Sequence, residues 1–366
     1  MDIPEKTQSP SFDRMVYLRL TEACNMSCEH CFIPSNPKRL RLDEDGSRTV
    51  QHIVSISKPN ETVLIQFHGG EPTIVGPREL SDWCALISAR ITDRKIVFGI
   101  QTNLAIDPTP YLALYKKYMG ASIGVSWDYA IRALKGDRAE SFEVVFWRNI
   151  DVLRRNGIEV TLVTTVTKEL ISAYNSGFKL LEFLASKGIK YLHLERLTKV
   201  GSARENWPKI GVTNREHSLF MATLYLDYVK NISHGRGSIN ISPFDGLELS
   251  LVHSSGDTSG YGCNSGKCDT AFFTIDAEGL HGSCTALNST ADISDHIVKI
   301  VDISGSLQNA RVERVIDCSD CRYRKICSSG CFATDVNDGS GECSGSRILY
   351  GTIERKIMEA SHYESR

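Results

Sequence analysis

Residues 15–31 read Met15-Val16-Tyr17-Leu18-Arg19-Leu20, then Thr21-Glu22-Ala23, then Cys24-Asn25-Met26-Ser27-Cys28-Glu29-His30-Cys31. The first six, rich in aliphatic and aromatic side chains, predict a strand. The cysteines follow at once, with the spacing C-x3-C-x2-C. Three thiolates on one tight loop can hold three irons of a cubane and leave the fourth iron open to a ligand. Zinc would ordinarily recruit a fourth protein ligand. His30 could supply one, although it lies between two thiols in a cramped loop. A structural zinc loop or a set of redox thiols is therefore the alternative reading of this segment.

Working outward, further short apolar runs at 63–67, 95–101, 121–126, 159–166 and 189–194 predict five more strands. Helical stripes lie between them at 79–91 (Leu80, Trp83, Cys84, Leu86, Ile87), 142–156 and 177–187. This alternation predicts an α/β fold with a parallel sheet, either doubly wound or a complete or partial barrel. Polar residues gather just after the strand ends: Gly69-Gly70-Glu71-Pro72, Gln101-Thr102-Asn103 and Ser126-Trp127-Asp128. In α/β barrels that edge carries the active site. Beyond about residue 240, Gly, Ser, Asp and Cys dominate. A hairpin is expected over 272–284 and a last helix over 347–360. The core there is thin, as in small cysteine-rich folds that rely on metal.

The chain has 366 residues, 41% hydrophobic and 23% charged, with a formal net charge of −2. That balance gives no basic surplus for nucleic acid. No apolar run approaches the roughly 20 residues of a membrane span, and the polar first ten residues lack a signal peptide's apolar core. No nucleic-acid or membrane partner and a cytoplasmic location are expected. The 12 cysteines are unevenly spread. Three lie in the first loop, Cys84 sits alone on an apolar helical stripe as a buried inert thiol, and eight crowd between Cys263 and Cys343. Clustered thiols in a reducing compartment read as metal ligands.

C-x3-C-x2-C directly after a first strand resembles the radical S-adenosylmethionine superfamily, with His30 at that motif's aromatic position, near the adenine. Gly69-Gly70-Glu71-Pro72 is similar to the family's methionine-binding motif. Its glycines permit close backbone approach, and Glu71 can accept from the methionine ammonium. Thr102, Asn103, Ser126 and Asp128 resemble positions that meet the ribose and carboxylate, although helix caps or turns would also explain them. Arg132 is similar to a family arginine facing the cofactor carboxylate, and Arg138 competes for that role.

Downstream, Cys268-x10-Gly279-x4-Cys284, then Cys318-x2-Cys321-x5-Cys327-x3-Cys331, then Cys343 resemble the SPASM extension, and Cys263 adds an eighth thiol. Two zinc sites are the alternative. The resemblance to sulfatase maturases implies one auxiliary cluster on Cys263, Cys268, Cys284 and Cys331 and another on Cys318, Cys321, Cys327 and Cys343. Spacing alone would favour a local set from Cys318 to Cys331.

The resemblance thus implies a partial (β/α)6 barrel with a cysteine-rich SPASM domain, three 4Fe–4S clusters and S-adenosylmethionine. The expected divisions are an N-terminal tail (1–13), a radical core (14–235), a linker (236–255), the extension (256–350) and a C-terminal helix (351–366). The implied activity is reductive cleavage of the cofactor to a 5′-deoxyadenosyl radical, hydrogen abstraction from an unactivated carbon, and oxidation or cross-linking of a peptide such as a ribosomally made (RiPP) precursor. Radical oxidation or epimerisation of a small metabolite, such as an aminoglycoside, is the alternative, and sulfatase maturation a lesser one. Maturases carry Asp after the cysteine matching Cys284, where this chain has Thr285. A flavodoxin or ferredoxin is the implied electron donor. Only 23 residues precede Cys24, so no winged-helix peptide-recognition domain is expected there. Glu195, His281 and Asp276 are acid–base candidates, with Asp276 also suited to building the Asp-Ala-Glu-Gly turn.

Overall fold

The computed structural model describes residues 12–33, 37–233, 239–253, 270–284, 286–287, 312, 314, 316–327 and 329–364. Six strands stand side by side in sequence order: β1 (Arg14–Thr21), β2 (Thr62–Gly69), β3 (Lys95–Thr102), β4 (Ser122–Ser126), β5 (Glu159–Val166) and β6 (Tyr191–Arg196). All five pairings between them are parallel. β7 (Asn240–Ser242) continues the sheet parallel to β6. At the other side β8 (Phe272–Asp276) pairs parallel with β1, and β9 (Gly279–Gly282) folds back antiparallel on β8.

The helices are α1 (Leu42–Ser55), α2 (Pro77–Arg90), α3 (Leu112–Tyr118), α4 (Ala139–Arg155), α5 (Lys168–Ala173), α6 (Gly177–Ser186), α7 (Ala203–Ile210), α8 (Asn214–Ser233), α9 (Phe244–His253), α10 (Arg324–Cys327) and α11 (Arg347–Glu364). Their apolar stripes cover the sheet. On β1 the side chains Val16, Leu18 and Leu20 are fully buried and share one core with Leu80, Trp83, Cys84 and Ile87 of α2. Burying each such large aliphatic or aromatic side chain contributes about 1.5–3 kcal/mol. Cys84 is part of that packing, and burial pushes its thiol up to about 12.

All six strands read from the sequence are present, within two residues of their expected bounds. The expected helices correspond to α2, α4, α6 and α11. The hairpin is shorter than expected, because β9 ends at Gly282, before Cys284. The twenty-residue α8 was not anticipated. It packs against both α6 and α11, so its apolar residues spread around the helix instead of forming one stripe. Among the described residues no helix is long and apolar enough to cross a membrane.

For function the decisive consequence is parallelism. Every strand from β1 to β6 ends on the same edge of the sheet, so Thr21, Gly69, Thr102, Ser126 and Arg196 open onto one surface.

Candidate active site and thiol clusters

The cysteine loop leaves β1 and is clamped from two sides. On one side Ser27 N donates to Ala133 O (2.8 Å), Glu29 N to Ile131 O (3.1 Å) and Lys135 N to Asn25 O (3.0 Å). On the other, Gly70 N donates to Thr21 O (2.8 Å) and Glu71 N to Ala23 O (2.9 Å). The two glycines are needed for this second clamp. A Cβ at Gly69 would stand 2.2 Å from Thr21 O, and one at Gly70 2.2 Å from Ala23 O. What approaches these glycines closely is the chain's own cysteine loop.

Burial raises all three thiols. For Cys28, burial and the nearby sulfurs of Cys31 and Cys24 outweigh Arg132 and push it up to about 12. Cys24 is raised by burial, with smaller contributions from Glu71 and Cys31. Burial also raises Cys31. Three thiols this close repel one another as thiolates. A bound metal group would supply the missing positive charge, as a metal deprotonates a coordinating thiol outright. The donor set therefore fits an iron–sulfur cluster.

Around the loop the polar residues form two closed networks. In the first, Asp128 is buried. Its Oδ2 accepts from Arg132 Nε (2.5 Å) and lies 3.1 Å from His30 Nε2, while Oδ1 accepts from Thr165 N (2.5 Å). Arg132 Nη1 lies 3.7 Å from Cys28 Sγ. Arg138, by contrast, is exposed just before α4. Burial raises the Asp128 carboxyl, but Arg132 and then His30 outweigh it and hold it well below the usual carboxylate range. His30 Nδ1 is buried without a hydrogen-bond partner among the described residues.

In the second network, Glu71 is almost wholly buried. Oε1 accepts from Thr73 N (3.0 Å), Thr73 Oγ1 (2.6 Å) and Thr102 Oγ1 (2.8 Å), and Oε2 from Asn103 N (2.7 Å). Glu71 thus fastens the ends of β2 and β3 together, and only Oε2 retains capacity for a further donor. Asn103 Nδ2 donates to Asn25 Oδ1 (2.8 Å) and approaches Cys24 Sγ (3.9 Å). Ser126 Oγ accepts from Gln101 Nε2 (2.7 Å). Pro72 is buried and opens the short 3-10 turn after Glu71.

The C-terminal thiols separate into two groups. Cys318, Cys321, Cys327 and Cys343 line one cavity with Tyr323, Ser344, Gly345 and Tyr350. Burial, then Cys343, Cys321 and Cys318, push Cys327 up to about 12. A Cβ at Gly345 would meet Cys327 Sγ at 2.5 Å and Cys343 Sγ at 3.6 Å. That cradle suits a group held between sulfurs. Cys331 is absent from this wall. It lies near Cys284, whose thiol is pushed up to about 11 by burial and then by Cys331. Cys263, Cys268 and Thr285 lie outside the described residues.

No protein-family model matches the chain. It is 22% identical over 329 residues to a cysteine-type anaerobic sulfatase-maturating enzyme of Clostridium novyi, covering 84% of each chain. Among solved structures it is similar to one described as native anSMEcpe with bound AdoMet and Cp18Cys peptide. The TM-score is 0.72 and the identity 16%, over 95% of this chain and 99% of that one. It is also similar to Streptococcus suis SuiB bound to precursor peptide SuiA, with TM-score 0.58 and 17% identity, over 93% of this chain and 76% of that one. The resemblance to radical S-adenosylmethionine enzymes of the SPASM type holds. The α/β fold is that of the sulfatase-maturating structures.

Sequence reasoning passed over several residues near the C-terminal ends of the strands. His68, at the end of β2, packs edge-on to Tyr17 (5.7 Å between centroids) and stacks on Phe32 (6.4 Å). Burial and then Arg19 lower it to about 4, so it is neutral at pH 7. Arg19 is buried and pairs with Glu22 and with Asp276 Oδ2 (3.4 Å). Asp276 Oδ1 also accepts from Glu278 N (2.9 Å) and lies 2.9 Å from His281 Nε2. Asp276 therefore builds its turn and ties β8 to β1. Glu195 keeps 52% of its side-chain surface accessible and lies 3.6 Å from His193 Nε2. Neighbouring protein that screens the carboxyl from bulk water raises it, but His193 outweighs that and lowers it below the usual value. No motif marks Arg19, His68 or His193; their placement follows only from strand register.

Proposed function

We propose that this chain is a radical S-adenosylmethionine enzyme that oxidises or cross-links a peptide or protein side chain. The observation that carries the reading is the convergence of Cys24, Cys28 and Cys31 on one clamped loop at the strand ends, with Arg132 against Cys28. These three thiols would hold the catalytic cluster. Cys318, Cys321, Cys327 and Cys343 would hold one auxiliary cluster, and Cys284 and Cys331, with Cys263 and Cys268, the other. When bound, the N-terminal cluster with S-adenosylmethionine would supply a 5′-deoxyadenosyl radical able to take hydrogen from an unactivated carbon.

The chain's own residues orient and shield. Asp128 fixes Arg132 and His30, so a cationic guanidinium stands ready for the cofactor carboxylate. His30 Nδ1 and Glu71 Oε2 remain for its adenine and ammonium. Thr102, Asn103 and Ser126 are polar groups at the same edge. The strands β1 to β6 would curl as a partial barrel over 14–235, with the extension over 256–350, excluding water from the reacting centre. A reduced flavodoxin or ferredoxin would be the electron source.

A peptide substrate is favoured over a small metabolite because both similar structures are described with peptides bound. Sulfatase maturation gains weight from the Clostridium novyi relative. Thr285 in place of Asp argues for a different proton acceptor, and Glu195, Asp276 and His281 are the candidates.

The test is anaerobic reconstitution, followed by addition of S-adenosylmethionine and dithionite. The expected result is about twelve irons per chain, the content of three cubanes, with 5′-deoxyadenosine formed. Cys28→Ala should abolish the cleavage. Zinc in place of iron, or no cleavage with clusters intact, overturns the reading. A change in mass of a sulfatase-derived Cys or Ser peptide on incubation would select the maturase reading; inertness would select another peptide.

A further inference from the structure

The cavity ringed by Cys318, Cys321, Cys327 and Cys343 is lined by four hydroxyl residues besides the thiols, Tyr323, Ser329, Ser344 and Tyr350. Tyr350, in the first turn of α11, is 0% exposed, and Ser344, directly after Cys343, is buried too. Both line the cavity. Neither Tyr350 Oη nor Ser344 Oγ has a hydrogen-bond partner among the described residues. Buried polar atoms in folded proteins are almost always paired, and each exception calls for a reason. Two exceptions in the wall of one four-thiol cavity point to a common one.

The neighbouring ring sharpens the point. Tyr323 stacks on Tyr350, with centroids 5.2 Å apart and planes at 19°. It donates its own hydroxyl to Glu354 Oε2 (2.9 Å). One tyrosine of the pair is thus satisfied by a carboxylate, and the other lines the four-thiol cavity with its hydroxyl unpartnered among the described residues. The Tyr350 phenol is protonated at neutral pH and can act as a donor.

We propose that the Tyr350 and Ser344 hydroxyls donate hydrogen bonds to sulfur atoms of the second auxiliary cluster and raise its reduction potential. The inference rests on the reading of the four thiols as that cluster's ligands. Donors near cluster sulfurs stabilise the more negative, reduced state, and hydrogen bonding to sulfur is a principal control of cluster potential. The hydroxyls are tuning groups that act through the cluster.

The experiment is an EPR-monitored redox titration of the reconstituted full chain. The signal lost in Cys327→Ala identifies the second auxiliary cluster. Tyr350→Phe keeps the ring and its stacking but removes the donor; Ser344→Ala removes the other. Each should lower the midpoint of that signal, Tyr350→Phe more, and leave the N-terminal cluster's midpoint unchanged. An intact signal with the same midpoint in both variants overturns the inference. Absence of any signal sensitive to Cys327→Ala overturns instead the assignment of the four thiols. Should Tyr350→Phe fail to take up the cluster, the wild type decides. A deuterium-exchangeable proton coupled to that cluster is expected by electron–nuclear double resonance, and its absence overturns the inference.

Discussion

Asp128→Ala is expected to cost about 3–5 kcal/mol of stability, the loss seen when one member of a buried ion pair is removed. The carboxylate is 1% exposed and Arg132 14%. Without Asp128, the guanidinium keeps among the described residues only Cys28 at 3.7 Å, and Thr165 N loses its acceptor. Asp128→Asn keeps the shape but not the charge, and should lie between wild type and alanine. The pH dependence follows from the sign of the shift. The native carboxyl sits below its unfolded value, so its stabilisation is complete above about pH 4 and is lost as pH falls through the native value. Urea unfolding should therefore show a gap between wild type and Asp128→Asn that does not shrink from pH 7 to pH 5 and becomes smaller only in stronger acid. A gap that closes between pH 7 and pH 5 would mean that another group carries the effect.

The sheet was legible because its strands are short runs of aliphatic and β-branched residues, from the mostly buried β1 to β5, where buried and half-buried residues alternate. A run such as Met15 to Leu20 or Glu159 to Val166 has no helical alternative at that length. The helix α8 was illegible because polar His217 and Ser218 are buried while apolar Leu219 and Ile232 are exposed, which blurs the apolar period. At the site, positions were legible and partners were not. Glu71 stood out beside two glycines, but its tie to Thr73, Thr102 and Asn103 depends on β2 lying next to β3. Arg132 and Arg138 are equivalent in the sequence. The turn after β4 brings only Arg132 back onto Asp128 and Cys28. Tyr350 and Ser344 fall in no pattern, because an unpaired hydroxyl is defined by what surrounds it.

Gly70→Ala should separate the cluster loop from the rest of the fold. The added Cβ would stand 2.2 Å from Ala23 O and 2.6 Å from both Ala23 C and Glu22 O. All three are backbone atoms, so no side chain can swing aside. Either Gly70 withdraws and breaks its bond to Thr21 O, or residues 22–24 move and carry Cys24 with them. The cost should reach about 3 kcal/mol, the upper part of the usual range for overpacking. Gly46→Ala is the control. Its Cβ also meets an atom at 2.6 Å, but that atom is Leu86 Cδ2, the tip of a flexible side chain. Gly46 lies inside α1, where alanine gains about 1 kcal/mol of helix propensity. Equal crowding on paper thus predicts unequal outcomes. Gly46→Ala should retain about twelve irons, whereas Gly70→Ala should fall to about eight, the content of two cubanes, with a lowered Tm. If both variants keep all their iron, the clamp between Gly70 and the cysteine loop does not hold the loop in place. If Gly70→Ala loses iron without losing stability, the loop is held by the 131–135 side alone, and Gly70 serves the bound group directly.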